Sequence, residues 1–124
     1  MEHFDALFVD DDKGFLESIK TIFDLEGIPV YCAASGEEAL NVIKEKKFNI
    51  MVTDLTMTGI NGIELARKAK ELLPGLPIVL LTGNIIVPDL AALAEEIGVS
   101  KIFAKPVDLS AILDAVRGKR YISP

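Results

Sequence analysis

Five residues of this chain have types and spacing that could do chemistry together: Asp10, Asp11, Asp54, Thr82 and Lys105. Each ends or follows a short apolar run. Ala6-Leu7-Phe8-Val9 leads into the two acids, and Ile50-Met51-Val52-Thr53 leads into Asp54. Ile78-Val79-Leu80-Leu81 leads into Thr82, and Lys101-Ile102-Phe103-Ala104 into Lys105. Unbroken apolar runs of this length read as parallel strands buried on both faces. In an open α/β sheet the carboxyl ends of such strands present the ligand-binding groups. One sheet edge would then gather three carboxylates, a hydroxyl and an ammonium. Crowded like charges raise one another's pKa unless a cation relieves them. A hard divalent ion such as Mg2+ (or Mn2+), which takes oxygen ligands and keeps waters, meets that need. Carboxylates, such an ion, a lysine and a hydroxyl suit a phosphoryl group, whose transfer depends on positioning and charge neutralisation.

Taken singly, each residue has a plainer reading. An acid after a strand is usually a turn residue or helix cap, and Asp12, next to a helix start, is read as a cap. Thr82 alone is an ordinary strand end, and Lys105-Pro106 alone a strand terminator. The joint placement of all five at one edge favours the chemical reading.

The elements that must position these groups alternate along the chain. Lys13 to Glu26 carries Phe15, Leu16, Ile19, Ile22 and Phe23 on one helical face, with Gly27 as its stop. A second strand, Val30-Tyr31-Cys32-Ala33, is followed by a helix that Ser35 and Glu38 open as a capping box. Asn61 and Glu64 repeat that arrangement after the Asp54 loop, whose last step is Gly62. Pro88 suits the first position of a fourth helix ending at Gly98, and Asp108 caps a fifth with Gly118 past its end. Five strands alternating with five helices imply an α/β fold, a parallel sheet covered on both faces. A domain spanning 1–118 is expected, with 119–124 as a tail or linker stub.

Composition narrows the function classes. At 124 residues the chain forms one domain with one sizeable core. Its formal charge of −6 argues against a nucleic-acid surface, which needs a basic face. No apolar run approaches the roughly 20 residues of a membrane span, and the first residues lack signal-peptide character. The lone Cys32 supplies neither a disulfide framework nor a paired-cysteine metal site, so a reducing cytoplasm is expected. Cys32 reads as a small buried strand residue. His3 is expected at a mobile terminus, with no part in phosphotransfer.

Phe8-Val9-Asp10-Asp11, Asp54 with Met57 and Gly62, Leu81-Thr82-Gly83 and Lys105-Pro106 together resemble the receiver domain of two-component response regulators. The resemblance covers the chain from the first strand to the last helix. It implies a flavodoxin-like, doubly wound fold with five strands in the order 2-1-3-4-5. It implies Asp54 as phospho-acceptor, taking its phosphoryl group from the phosphohistidine of a sensor histidine kinase or phosphotransfer protein. Asp11, Asp54 and the Thr56 backbone carbonyl would bind Mg2+ directly, and Asp10 would act through metal-bound water. Lys105 would pair with a phosphoryl oxygen. Thr82 would swing toward the phosphoryl group beside the small Gly83, shifting a two-state equilibrium read by an output partner. Such a module catalyses its own phosphorylation and dephosphorylation without being a dedicated enzyme.

Three positions depart from the family pattern. Thr58 replaces the common proline after Met57, so a less rigid loop and a quantitative effect on metal affinity are expected. Ile102 stands where Tyr or Phe is usual, and Phe103 points to the opposite face and cannot substitute. The loop after Thr82 contains Ile85, Ile86 and Val87, read either as tucked under the next helix or as a partner-binding patch. Two alternatives accompany the leading reading. A metal-dependent aspartyl-phosphate phosphatase would carry a general acid two residues after its nucleophile, where this chain has Thr56. A pseudo-receiver would serve as an unphosphorylated interaction module, and Ile102 is the feature that keeps that reading open.

Overall fold

Every apolar run named above forms a strand, and the five lie parallel in a single sheet. The computed structural model describes residues 1–83 and 87–120. Asn84, Ile85 and Ile86 of the apolar loop, and 121–124 of the expected tail, lie outside the described residues. In chain order the first half comprises β1 (His3–Phe4), β2 (Ala6–Val9), α1 (Lys13–Leu25), β3 (Val30–Ala33), α2 (Gly36–Glu45) and β4 (Lys47–Phe48). The second half comprises β5 (Met51–Asp54), α3 (Gly62–Leu72), β6 (Ile78–Thr82), α4 (Leu90–Ile97), β7 (Lys101–Ala104) and α5 (Leu109–Arg120).

The main sheet has the order β3-β2-β5-β6-β7. Numbered among themselves, these strands run 2-1-3-4-5, as expected. The chain therefore reverses direction across the sheet between β2 and β5. There the crossovers leave toward opposite sides and open a crevice at the strands' carboxyl ends.

Period-two alternation survives inside the apolar runs and divides the core in two. Leu7, Val9, Met51, Ile78 and Leu80 pack with α2 and α3 side chains such as Val42, Ile43 and Leu65. Ala6, Phe8, Val52, Val79 and Leu81 face the other way, onto Leu16, Ile19 and Phe23 of α1 and Ile112 and Val116 of α5. Phe8 and Phe23 meet at 5.1 Å between ring centroids. Burying each large apolar side chain stabilises the fold by about 1.5–3 kcal/mol. Both faces are covered, which is why the strands carry no polar alternation.

The caps hold, but both box glutamates turn to other partners. Ser35 Oγ accepts from Glu38 N at 3.1 Å, but the Glu38 carboxylate accepts from Ala34 N, one residue before the cap. Asn61 caps α3 through Glu64 N at 2.9 Å, while the Glu64 side chain pairs with Lys68. Asp12 and Asp108 cap as expected, accepting from Phe15 N and Ser110 N. Gly27 and Gly98 end their helices with φ of 71° and 92°, the left-handed backbone that glycine adopts without strain.

Three expectations need correction. Helix α4 begins at Leu90 instead of Pro88, because Leu90 N donates to Val87 O and closes a turn that holds Pro88. Helix α5 continues through Gly118 to Arg120. Gly118 does not take positive φ, so it only weakens the helix and does not stop it. His3 is not a loose end. It pairs in β1 with Lys47 of β4, and its ring nitrogen lies 2.9 Å from Asn49 Oδ1. A stack of Phe4 on Phe48 and an edge contact of Phe4 with Tyr31 fasten this small ladder.

Candidate functional site

Strand register brings the site together. Val9 pairs with Thr53, so the next residues, Asp10 and Asp54, stand side by side where β2 and β5 end. Asp54 in turn pairs with Leu81, one residue before Thr82. Thr82 pairs with Ala104, one residue before Lys105, and Lys105 N donates to Thr82 O at 2.7 Å. Asp11 follows in the β2–α1 turn. One oxygen from each of Asp10, Asp11 and Asp54 lies within 4.8 Å of the others.

Asp10 is 1% exposed, and both of its oxygens are engaged. Oδ1 accepts from Asp12 N at 2.9 Å and Oδ2 from Lys105 Nζ at 3.0 Å. The ammonium also stands 3.4 Å from Asp54 Oδ1 and 5.3 Å from the centre of the Phe15 ring. Lys105 therefore bridges two carboxylates while a ring face supports its charge. Asp54 is 7% exposed, and Asp11 lies in solvent.

Among the described residues, Lys105 is the cation paired with Asp10 and Asp54. Burial pushes the Asp54 pKa above the ordinary carboxylate value and the Asp10 charge pushes it further, while the Lys105 charge offsets only part of this. For Lys105 burial disfavours the ammonium. The hydrogen bond to Asp10 and the charges of Asp10 and Asp54 outweigh that and raise its pKa. The donor set of hard carboxylate oxygens carrying excess negative charge fits a divalent cation with oxygen preference.

The loop from Leu55 to Asn61 is held from three sides. Gly62 N donates to Leu55 O at 2.8 Å, closing the loop on itself. A Cβ on Gly62 would stand 2.3 Å from the Asp54 carbonyl oxygen, so only glycine lets α3 start this close to the acid. Glu37 of α2 accepts from Ile60 N at 3.3 Å. Across the crevice, Asp11 Oδ2 accepts from both Thr58 N at 3.0 Å and Thr58 Oγ1 at 3.3 Å. The loop is thus tied to the β2–α1 turn, where loss of proline alone predicts less rigidity.

Thr82 is half-buried, and its hydroxyl donates to the carbonyl of Gly83 at 3.3 Å. A Cβ on Gly83 would meet nothing within 4 Å among the described residues. Ile102 packs, half-buried, against the Leu80 side of the sheet, and Phe103 packs on the opposite side with Phe8 and Ile112. The two residues do face opposite ways. Cys32 is half-buried, and burial raises its thiol pKa.

Sequence reasoning collected Asp10, Asp11, Asp54, Thr82 and Lys105 at one edge, and the structure places them there. It missed the Phe15 ring under Lys105, the Glu37 brace and the tie between Thr58 and Asp11. The change from proline to threonine at 58 carried a usable signal, because it restores a backbone N–H and adds a hydroxyl.

Comparison with known proteins follows the same line. The family model described as the response regulator receiver domain matches residues 6–117. The transcriptional regulatory protein GlrR of Escherichia coli K12 is 34% identical over 110 residues, covering 89% of this chain and 24% of that protein. The chain thus spans about a quarter of that relative's length. The sporulation initiation phosphotransferase F of Bacillus subtilis is 30% identical over 118 residues, covering 94% of this chain and 91% of that one. A response regulator protein from Burkholderia pseudomallei, solved with a phosphorylated aspartic acid, a calcium ion and citrate, superposes with a TM-score of 0.79 at 26% identity. That match covers 94% of this chain and 66% of the other. Five strands in the 2-1-3-4-5 order, acids at the switch point and a family match across nearly all of its length agree. The chain belongs to the response regulator receiver domain family of two-component signalling.

Proposed function

We propose that Asp54 accepts a phosphoryl group from the phosphohistidine of a sensor histidine kinase or phosphotransfer protein. The observation that carries this reading is the pairing of Lys105 Nζ with both Asp10 and Asp54, at 3.0 and 3.4 Å, at the edge of a three-acid cluster. An Asp54 oxygen attacks phosphorus, the phosphorus–nitrogen bond breaks, and the imidazole leaves with the bonding pair. Lys105 holds a charge where negative charge builds up on the phosphoryl oxygens. Gly83 leaves room beside Asp54, and the Thr82 hydroxyl exchanges its Gly83 partner for a phosphoryl oxygen.

Receiver domains bind Mg2+ at an acidic pocket, and the carboxylates here suit it. Asp11 and Asp54, with the Thr56 carbonyl, would hold the ion directly, and Asp10 through water. When bound, it would neutralise the acids and the incoming phosphoryl group. Among the described residues no helix is long and apolar enough to cross a membrane. We place the domain in the cytoplasm, acting on an output domain or partner and catalysing only its own phosphorylation and dephosphorylation. The receiver unit spans the expected 1–118, with α5 running on to Arg120.

Thr82 and Ile102 lie on adjacent strands and carry the response outward. A half-buried isoleucine lacks the ring that turns inward in many relatives, so the readout here relies on Thr82 and α4. Amide NMR spectra with Mg2+, then with Mg2+ and beryllofluoride as an aspartyl-phosphate mimic, test this. Shifts that start at Asp11 and Asp54 and reach Thr82 and α4 are expected. Absence of any response to both additions would leave the unphosphorylated interaction module as the better account.

A further inference from the structure

The Thr58–Asp11 contact is specific to what stands at position 58. A proline there has no N–H and no hydroxyl, whereas Thr58 presents both to a single oxygen, Asp11 Oδ2, at 3.0 and 3.3 Å. Asp11 is exposed, and a free aspartate at the mouth of a crevice samples several rotamers. The two bonds select one. They leave Oδ1 with no hydrogen bond to the described residues, on a residue that contributes one oxygen to the three-acid cluster.

The tie also spans the site. Asp11 belongs to the β2–α1 turn and Thr58 to the β5–α3 loop, 47 residues apart. The loop end at Thr58 is braced independently, by Glu37 on Ile60 N and by the Gly62 N to Leu55 O bond. Thr58 therefore transmits the position of an anchored loop to an otherwise free carboxylate. Hydrogen bonds that orient a ligating carboxylate typically change metal affinity by about 10–100-fold when removed. At an exposed site with one neutral hydroxyl and one amide, the lower end applies.

We propose that Thr58 is a positioning residue for the cation: it holds Asp11 in the binding rotamer and sets the Mg2+ concentration at which the site fills. This rests on the reading of Asp10, Asp11 and Asp54 as the metal site. Thr58 touches neither phosphoryl group nor metal. Its loss acts on cation affinity and leaves the rate at saturating cation unchanged.

The test titrates Mg2+ into the full chain, following the amide signals of Asp11 and Asp54. In parallel, the initial rate of phosphorylation by a small phosphodonor is measured against Mg2+ concentration. Thr58→Val keeps the N–H and the branched shape but loses the hydroxyl. Thr58→Pro loses both donors, and Thr58→Ser keeps both. About a 3-fold weaker Mg2+ affinity is expected for Thr58→Val and about 10-fold for Thr58→Pro. Thr58→Ser should match the parent protein, and all plateau rates should agree. Equal Mg2+ affinity in all four proteins would overturn the role of Thr58 while leaving the metal site intact. A parent protein that binds no Mg2+ would overturn the metal-site reading and this inference with it. Since Thr58→Val differs from the parent protein only by a methyl in place of the hydroxyl, a misfolded Thr58→Pro protein would not decide the outcome.

Discussion

Replacing Asp54 by asparagine removes one of the three negative charges of the acidic cluster, in a side chain of nearly the same shape. Asp54 is 7% exposed, so solvent relieves little of the crowding. At an effective dielectric of about 20, two charges 4.8 Å apart repel by roughly 3.5 kcal/mol. The Lys105 ammonium at 3.4 Å returns an attraction of roughly 5 kcal/mol. Two repulsions against one attraction leave about 2 kcal/mol of net penalty, and solvent screening of the exposed Asp11 lowers this toward about 1 kcal/mol. In metal-free buffer at pH 7, Asp54→Asn is therefore expected to be the more stable protein by about 1–2 kcal/mol. For a domain of this size that is a rise of about 4–8 °C in Tm. The pH dependence has a fixed sign. The Asp54 pKa is raised in the folded state, so folding favours its neutral form. The stability associated with that form is fully present below the unfolded carboxylate pKa and is lost as pH rises through the folded value. The gap between the two proteins should thus close on acidification and be fully open at neutral pH. Added Mg2+ should narrow it, because the ion stabilises the parent site more. The assay is thermal unfolding with EDTA and with Mg2+, at neutral and acid pH. A destabilised Asp54→Asn protein in EDTA at pH 7 would refute the electrostatic reasoning.

Other perturbations separate the parts of the site. Lys105→Met leaves Asp10, 1% exposed, without its cation, and is expected to cost about 2–3 kcal/mol by urea unfolding. An unchanged midpoint would mean that the pair contributes nothing. Gly62→Ala sets a Cβ 2.3 Å from the Asp54 carbonyl, and about 3 kcal/mol of destabilisation is expected together with weaker Mg2+ binding. Equal stability by chemical denaturation would show that α3 can start elsewhere. Ser35→Ala loses the α2 cap and is expected to cost about 1 kcal/mol by urea unfolding. An unchanged midpoint would show that the cap contributes nothing.

Much of this fold is legible because its central strands β2, β5 and β6 are buried on both faces. Val9, Val52, Leu80 and their neighbours give unbroken apolar runs with definite ends, and parallel pairing puts those ends on one edge. Asp10, Asp54, Thr82 and Lys105 are therefore placed by strand length alone. The tie between Thr58 and Asp11 is different, since it depends on the path of a loop that brings residues 47 apart within 3.0 Å. Strand β1 escapes notice because two residues carry no period, and its pairing with β4 rests on aromatic stacking. Pro88 and Gly118 mislead for a related reason. Proline fits the turn closed by Leu90 N as well as a first helical position, and glycine without positive φ continues a helix at some loss.

In the proposed reaction Asp54 carries the phosphoryl group. Intact-mass measurement after incubation with a small phosphodonor and Mg2+ tests it most directly, with Asp54→Asn in parallel. One added phosphoryl group is expected on the parent protein, with loss of the signal in EDTA and none on Asp54→Asn. Incorporation into Asp54→Asn at the parent rate, or none into a parent protein that demonstrably binds Mg2+, would contradict this role of Asp54.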